Sequence, residues 1–286
     1  MYRVSRRKVI SSGVTWGALA TGLTAVTAGR ADDAVAEPTG AESPQRDWWD
    51  QEFRTLVTLG ESTTAGGWAS YRERCWANQL ARQINEFQRI PLQLINVGIG
   101  ANVISTRSPN YEKSGKPAAL ERLDDHVVKH QPDLLVVSYG LNDARGGTPL
   151  ELFAAEMRTL IDRVRRRIQP LFVLLGPYYM TGFDQFGPDW NHASLAVFHQ
   201  FNDAIQKIAD DEKCLFVDLL DAYGRAPWLV HHDGVHANDL GHRVVANRVF
   251  ETLASHCSGL ARETQQLEQH IPRWRDESVL QQKAQK

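Results

Sequence analysis

Residues 55–67 read Thr-Leu-Val-Thr-Leu-Gly-Glu-Ser-Thr-Thr-Ala-Gly-Gly, an apolar run that stops at a glycine-flanked turn. A near-continuous apolar run of this length is typical of a strand that is buried on both faces of a sheet. Similar runs recur along the chain, at 92–97, 134–139, 171–175 and 215–217. The sequence therefore predicts five buried strands.

Segments with helical spacing separate these runs. Apolar residues recur every three or four positions over 150–168, over 195–208 and over 240–253, the last beginning after the capping candidates Asn238 and Asp239. Five strands that alternate with helices predict an α/β fold, a three-layer α/β/α sandwich built on a five-stranded parallel sheet. In such sheets ligands bind beyond the carboxyl ends of the strands, so the segments that follow each run are where chemistry is expected.

Length and charge narrow the class of protein. The chain has 286 residues, of which 42% are hydrophobic, enough for one α/β domain with extensions at its ends. Its formal charge is −2, and loss of residues 1–36 would leave a charge of about −5. A protein with this charge is not expected to bind nucleic acid.

The N-terminus has the features of an export signal. Arg6 and Arg7 precede a mildly apolar run at 9–28, and 34–36 is Ala-Val-Ala, a small-residue cleavage site. The paired arginines resemble a twin-arginine signal; a weak transmembrane anchor is the alternative. We expect a signal at 1–36, a linker at 37–46, a folded domain at 47–260 and a polar tail at 261–286. The mature protein is then periplasmic or extracellular, without stable membrane insertion.

The three cysteines do not form a recognisable motif. Cys75, Cys214 and Cys257 are too few and too scattered for a disulfide framework or a metal site. The apolar context of each predicts buried free thiols, with Cys75 and Cys257 on helical faces and Cys214 at the start of a strand. One disulfide of undefined pairing is the alternative in an oxidising compartment.

Polar residues and glycines follow the first three predicted strands. Ser62 lies on a strand-to-helix turn, where free N–H groups favour developing negative charge; a capping serine is the alternative interpretation. The second strand leads into Asn-Val-Gly-Ile-Gly-Ala at 96–101, where glycine lets backbone N–H groups approach a ligand. The third leads into Gly-Leu-Asn-Asp at 140–143, where Asn142 is suited to hydrogen-bond an oxyanion and Asp143 to hold the loop.

The segment 231–236 reads His-His-Asp-Gly-Val-His. An aspartate three residues before a histidine can place its carboxylate on Nδ1, which leaves Nε2 of His236 free to accept a proton from a serine. The competing hypothesis is a metal site formed by His231, His232, Asp233 and His236, although the further ligands that it needs are not evident elsewhere. We predict neither a metal nor another cofactor.

Each of these segments is ambiguous alone, but their order is specific. Gly-x-Ser, Asn-x-Gly and Gly-x-Asn-Asp after successive strands, with Asp-x-x-His near the C-terminus, resemble the four sequence blocks of the SGNH (GDSL-like) hydrolases over about residues 55–245. The resemblance implies a flavodoxin-like sheet and a serine esterase. It also implies that Ser62 is the nucleophile, His236 the general base and Asp233 the residue that orients the base.

The same resemblance implies an oxyanion hole. Its donors would be the backbone N–H of Ser62, the side-chain amide of Asn142 and a backbone N–H of the second block. That last position is usually glycine in the family; counting along the block places Ala101 there, and a register shifted by one makes Gly100 the donor. A second departure is Glu61, where the family normally has Asp. The glutamate side chain is one methylene longer, which moves its carboxylate by about 1.5 Å. We expect activity to survive it.

Aromatic residues after the strands are candidates for the walls of a substrate pocket, namely Trp68, Tyr178, Tyr179, Trp190 and Trp228. Such side chains stack on sugar rings or line an acyl slot. We expect a small-molecule or saccharide ester as substrate, with a short acyl group such as acetyl on a carbohydrate, while the sequence gives no oligomeric state. The rival hypotheses are a non-catalytic carbohydrate-binding protein on the same fold and a metal-dependent hydrolase that uses the 231–236 cluster.

Overall fold

The structure is a computed structural model that describes residues 45–270. The predicted signal at 1–36, almost all of the linker and the end of the tail beyond 270 lie outside the described residues. The strands are β1 Thr55–Gly60, β2 Gln93–Asn96, β3 Leu134–Ser138, β4 Leu171–Leu175 and β5 Leu215–Val217.

Helices connect these strands throughout the described part. They are α1 Ser62–Ala65, α2 Trp76–Asn85, α3 Tyr111–Ser114, α4 Leu123–His126, α5 Leu141–Arg145, α6 Leu150–Arg165, α7 Leu195–Asp211, α8 Leu219–Tyr223, α9 Asp239–His256 and α10 Arg262–Glu268. Short 3-10 turns lie at Arg72–Arg74, Ala119–Glu121, Val128–His130, Pro188–Trp190, Pro227–Leu229 and Ser258–Ala261.

The five strands form one parallel sheet in the order β2-β1-β3-β4-β5. This confirms the predicted five-stranded parallel sheet. The register pairs Thr58 with Asn96 and Gly60 with Ser138, so the turns that leave β1, β2 and β3 emerge side by side. Because the chain moves from β1 outward to β2 and then returns to β3 on the other side of β1, a crevice opens at this point, where ligands bind in such folds.

Two groups of helices cover the sheet. Helix α2 packs against α9, while α6 packs against both α4 and α7. Connections between parallel strands are right-handed, so the outward connection through α2 and the returning connections through α4, α6 and α7 lie on opposite faces. The predicted three-layer α/β/α arrangement is confirmed.

The central strands are more deeply buried than the edge strand β2. Leu134, Val136 and every residue of β4 are buried, as the apolar runs predict. In β2, Gln93 and Asn96 are exposed and the two residues between them are only half-buried. The prediction that all five strands are buried on both faces is therefore wrong for β2, because an edge strand lacks a neighbour on one side.

The caps of α9 and the cysteines refine two predictions. Asn238 is the N-cap of α9, since its Oδ1 accepts hydrogen bonds from the N–H groups of Leu240 and Gly241, both at 3.0 Å. The prediction of buried free thiols is confirmed for all three cysteines. The prediction that Cys75 and Cys257 lie on helical faces is wrong. Cys75 is the N-cap of α2 and Cys257 is the C-cap of α9.

The two ends of the described chain meet. Trp48 N–H donates to the carbonyl of His256 at 2.8 Å, and Gly259 N–H donates to the carbonyl of Trp49 at 3.1 Å. The carboxylate of Asp47 accepts a hydrogen bond from the N–H of Ser258 at 3.0 Å. The segment before β1 is thus fastened to the segment after α9. Among the helices of residues 45–270, none combines the length and apolar character needed to cross a bilayer.

Candidate active site

Ser62 is the first residue of α1 and follows β1 directly. Its carbonyl accepts the N–H of Gly67 at 2.8 Å, which closes the turn tightly around the serine. The turn after β2 approaches so closely that a Cβ on Gly98 would lie 2.2 Å from the backbone nitrogen of Ala65. Only glycine permits this contact, which brings the turn after β2 against the serine helix.

Ser62, His236 and Asp233 form a continuous hydrogen-bonded chain, although 174 positions separate the serine from the histidine. Nε2 of His236 lies 2.8 Å from Oγ of Ser62, and Nδ1 lies 2.6 Å from Oδ2 of Asp233. Both distances are those of good hydrogen bonds. The structure therefore brings these three predicted site residues together.

The surroundings of Asp233 and His236 determine the charge of each side chain. Burial acts to raise the pKa of Asp233, but hydrogen bonds from the N–H groups of Val235 and His236 and from the imidazole outweigh it and lower the pKa to about 2. Burial lowers the pKa of His236 below its ordinary value of 6.5, opposed by the hydrogen bond and charge of Asp233. At neutral pH the pair is a carboxylate and a neutral imidazole, which can accept a proton at Nε2.

Residues 231–236 form a tight turn that holds this geometry. His231 N–H donates to the carbonyl of His236 at 2.7 Å, and an isolated antiparallel bridge joins Val230 to Ala237. The loop after β4 adds two hydrogen bonds, from the N–H groups of Thr181 and Gly182 to the carbonyl of Gly234 at 2.9 and 2.8 Å. The turn is thus fixed both internally and by a neighbouring loop.

The indole of Trp68 lies flat on the imidazole of His236. The ring centroids are 3.4 Å apart and the planes differ by 7°. Trp68 is 43% exposed and adopts φ 65°, so its backbone is held in the left-handed region. The indole covers one face of the imidazole, and an aromatic face also attracts the cation that forms when this ring is protonated.

The turn after β2 and the helix after β3 supply groups beside Ser62. Gly100, Ala101 and Asn142 line the same cavity as the serine. Ala101 has φ 55°, a left-handed conformation that favours glycine. The side-chain amide of Asn142 donates to the carbonyl of Asn102 at 3.2 Å, and its second N–H remains for a ligand.

Two buried carboxyl groups hold these segments. Glu61 accepts the backbone N–H of Asn142 at 2.9 Å, so the longer side chain at this position reaches across to α5. Asp143 accepts the N–H of Ile104 and the hydroxyl of Ser108 at 2.8 Å, which confirms that it holds the loop. Burial raises the pKa of both groups, that of Glu61 well above its ordinary value, where the nearby Asp143 adds to the effect, and that of Asp143 to about 6.

The cavity beside Ser62 has a volume of about 280 Å³. Two of the aromatic residues predicted for its wall, Trp68 and Trp190, line it. The other three predicted residues do not line this cavity. Tyr178 is buried with its hydroxyl on Thr63, Tyr179 lines a separate cavity after β4, and Trp228 is 70% exposed outside the cavity. Their positions in the sequence did not determine which way their side chains point, because successive side chains of a loop face different sides.

The cavity is also lined by Lys116, Arg145 and Phe186, which were not among the predicted site residues. Arg145 lies three positions after Asn142 in α5, so one turn of helix brings both to the same side. That spacing was a usable signal. Lys116 and Phe186 come from loops distant in sequence, and no local pattern marks them.

The alternative hypothesis was a metal site. Within residues 45–270, no three His, Cys, Asp or Glu side chains lie close enough together to hold a metal ion. His236 and Asp233 are instead hydrogen-bonded to each other. The neighbouring His231 and His232 lie with ring centroids 3.9 Å apart, and His232 is exposed.

A family model described as the GDSL-like lipase/acylhydrolase family matches residues 58–244. No curated protein gives a significant match to the sequence. Among solved structures, a lipase/acylhydrolase from Enterococcus faecalis is similar with a TM-score of 0.55 and 19% identity, over 71% of this chain and 96% of that chain.

Two esterases of known structure share the fold. An acetylxylan esterase from Geobacillus stearothermophilus has a TM-score of 0.53 and 19% identity, over 70% of this chain and 94% of that chain. A two-domain esterase active on acetylated mannans has a TM-score of 0.53 and 18% identity, over 71% of this chain and 48% of that chain. With a family match that spans most of the described domain, the chain belongs to the GDSL-like lipase/acylhydrolase family of carboxylic ester hydrolases.

Proposed function

We propose that this protein is an exported serine esterase that removes a short acyl group, such as acetyl, from a carbohydrate. The observation that carries the proposal is the chain of hydrogen bonds from Ser62 through His236 to Asp233, with distances of 2.8 and 2.6 Å. The serine lies at the edge of the sheet where ligands bind in this fold, beside a cavity of about 280 Å³.

In the proposed first step, Oγ of Ser62 attacks the ester carbonyl while Nε2 of His236 accepts its proton. The imidazolium that forms is stabilised by the carboxylate of Asp233 and by the indole of Trp68. His236 then returns the proton to the leaving alcohol, which departs and leaves an acyl group on Ser62. Water attacks this acyl-enzyme by the same route and releases the acid.

The proposed oxyanion hole uses main-chain and side-chain donors around the serine. These are the N–H of Ser62, the free amide N–H of Asn142 and a backbone N–H from Gly100 or Ala101. The left-handed φ of Ala101 supports the register in which Ala101 occupies the position that is usually glycine. Fixed donors of this kind stabilise the charge of the tetrahedral intermediate without reorganisation.

The dimensions of the cavity support a small ester. A volume of about 280 Å³ is at the low end for ligand sites and leaves little room for a long acyl chain. Trp68 and Trp190 offer flat apolar surfaces on which a sugar ring can stack. Two proteins with the same fold are described as esterases of acetylated xylan and acetylated mannan, which favours an acetylated carbohydrate.

A hydrolysis screen tests this proposal. The purified protein is assayed on 4-nitrophenyl esters of increasing acyl length and on acetylated xylo- and manno-oligosaccharides, with Ser62→Ala as the control. We expect acetyl esters to be hydrolysed fastest, and a fluorophosphonate to label the protein only when Ser62 is present. Labelling without dependence on Ser62, or activity that is lost on chelation and restored by a divalent metal, would contradict the mechanism.

Export is part of the same proposal and depends on the arginine pair at positions 6 and 7. Cell fractionation of a tagged full-length chain should place the mature protein outside the cytoplasm. Replacement of both arginines by lysine keeps the positive charge. If this variant stays in the cytoplasm while the wild-type chain is exported, the signal is of the twin-arginine type. Equal export of both forms would contradict it.

A further inference from the structure

Arg145 is a buried cation in the wall of the cavity beside Ser62, and it forms no salt bridge with any residue of 45–270. The residue is 5% exposed. Its Nη2 donates to the carbonyl of Gln185 at a long 3.3 Å, and its Nε has no partner within the described chain. Native proteins seldom leave a buried guanidinium so poorly bonded, and such groups require an explanation.

The surroundings of Arg145 only partly compensate its charge. Its guanidinium carbon lies 5.4 Å from the ring of Phe186 and 5.9 Å from the ring of Trp190, at distances where an aromatic face attracts a cation. Burial lowers the pKa of Arg145, and the acidic groups Tyr178, Glu61 and Asp233 oppose this shift. An arginine stays protonated even so, and the cavity keeps a positive charge.

A second cation lies in the same wall. Lys116 is exposed, but its ammonium donates to the carbonyl of Gly100 at 2.6 Å, which holds it at the edge of the cavity. It forms no ion pair within residues 45–270. The cavity therefore combines two cations, one from helix α5 and one from a loop, with the flat aromatic surfaces of Trp68 and Trp190. This set of groups suits an anion carried on a ring.

We propose that the ester bound beside Ser62 carries a carboxylate, which Arg145 binds with the help of Lys116. The planar guanidinium matches a carboxylate with two parallel hydrogen bonds, and its unbonded N–H groups supply the donors. The substrate class is an ester that also carries a free carboxylate, such as an O-acetylated uronic acid. This inference rests on the proposed esterase function.

The carboxylate has two sources in an ester, the alcohol part or the acyl part. For the alcohol part, 4-carboxyphenyl acetate is compared with phenyl acetate. For the acyl part, 4-nitrophenyl hemisuccinate is compared with 4-nitrophenyl butyrate. The ratio of kcat/KM for the charged ester to that for its neutral partner is measured in the wild type and in Arg145→Met. Dividing one ratio by the other cancels the intrinsic reactivity of the esters.

We expect Arg145→Met to lower this ratio by about tenfold to a hundredfold for one of the two pairs, the size of a lost charge-assisted hydrogen bond. Arg145→Lys should keep part of the preference, and Lys116→Met should show a smaller loss of the same sign. Arg166→Met, at the exposed residue that caps the C-terminus of α6, is the matched control and should leave the ratio unchanged.

An Arg145 that only positions the loop containing Gln185 would lower the rates on charged and neutral esters alike. An unchanged ratio for both pairs would overturn the proposal. Binding separates this failure from failure of the esterase function. Calorimetry with Ser62→Ala uses non-hydrolysed amide analogues, 4-acetamidobenzoate against neutral 4-acetamidotoluene for the alcohol part and N-phenylsuccinamate against neutral N-phenylbutyramide for the acyl part. In one of the two pairs the charged analogue should bind more tightly, and Arg145→Met should remove the difference. Equal binding within both pairs also overturns the proposal, whether or not the wild type hydrolyses esters.

Discussion

Two turns contact Ser62, and they are built differently. The histidine turn, residues 231–236, is closed by its own backbone, with Asp233 only three positions from the imidazole that it binds. The second-strand turn, residues 97–104, is held by residues that are distant in sequence. Arg122 donates to the carbonyl of Val97 at 2.6 Å, and Asp143 accepts the N–H of Ile104. One turn follows from local sequence and the other requires the assembled fold.

The difference explains which site residues sequence can identify. Asp-x-x-His defines its own geometry, so Asp233 and His236 are predicted together with their contact. The choice between Gly100 and Ala101 depends on a backbone conformation that only tertiary contacts impose, and the sequence left it open. Four predictions test the contrast, in order of decreasing expected effect.

Asp233→Asn should have the largest effect, lowering kcat by about four orders of magnitude. The amide keeps an oxygen for the backbone N–H groups of the histidine turn, so the fold should be retained. It carries no charge to stabilise the imidazolium and favours the wrong tautomer. Steady-state kinetics on 4-nitrophenyl acetate measure the loss, with the exposed Asp221→Asn as control. A fall of less than tenfold would exclude Asp233 from the proposed triad.

Asn142→Ala should lower kcat by about a hundredfold to a thousandfold, the effect of one lost oxyanion donor. Asn142→Asp keeps the shape but cannot donate, and it should be impaired at least as much. Circular dichroism checks that both variants fold. Because the donor acts on the transition state, KM should change little. Near-normal turnover in a folded Asn142→Ala would remove this residue from the oxyanion hole.

Trp68→Leu should move the pH profile of kcat/KM. The general base must be neutral, and burial lowers the pKa of His236 below 6.5, so the acidic limb of the wild-type profile should lie below pH 6.5. Removing the indole exposes the imidazole to water and also removes the attraction between the indole and the imidazolium. Because burial is the largest cause of the lowered pKa, we expect the first effect to dominate, so that the pKa rises and the acidic limb shifts to higher pH. Trp228→Leu, an exposed indole elsewhere, should not. An unshifted limb would show that the stacked ring does not control this ionisation.

Ala101→Gly should have the smallest effect on activity and should raise stability. A left-handed φ strains alanine by about 1–2 kcal/mol, and the extra freedom of glycine in the unfolded chain returns part of this, which leaves a gain of about 0.5–1 kcal/mol. Chemical denaturation measures it. Ala261→Gly, at a residue with φ −88°, should instead destabilise. A destabilised Ala101→Gly would mean that the Ala101 methyl makes contacts that outweigh its strain.

The sequence predicted the sheet more fully than the pocket. Apolar runs identified all five strands, because burial between layers leaves a direct pattern in the sequence. The runs overstated the burial of β2, since strand order is set by long-range pairing. Loop side chains carry no comparable pattern, so Tyr178 and Trp228 were wrongly placed in the pocket wall, and Lys116 was missed.

The contact between Trp48 and the carbonyl of His256 has a consequence for synthesis. The segment that begins the domain finds its partner only when the last residues of the domain have been made. A nascent chain still attached to the ribosome near residue 236 cannot complete this closure, even though its serine was translated long before. A chain that ends before residue 256 lacks the closure that fastens the segment before β1.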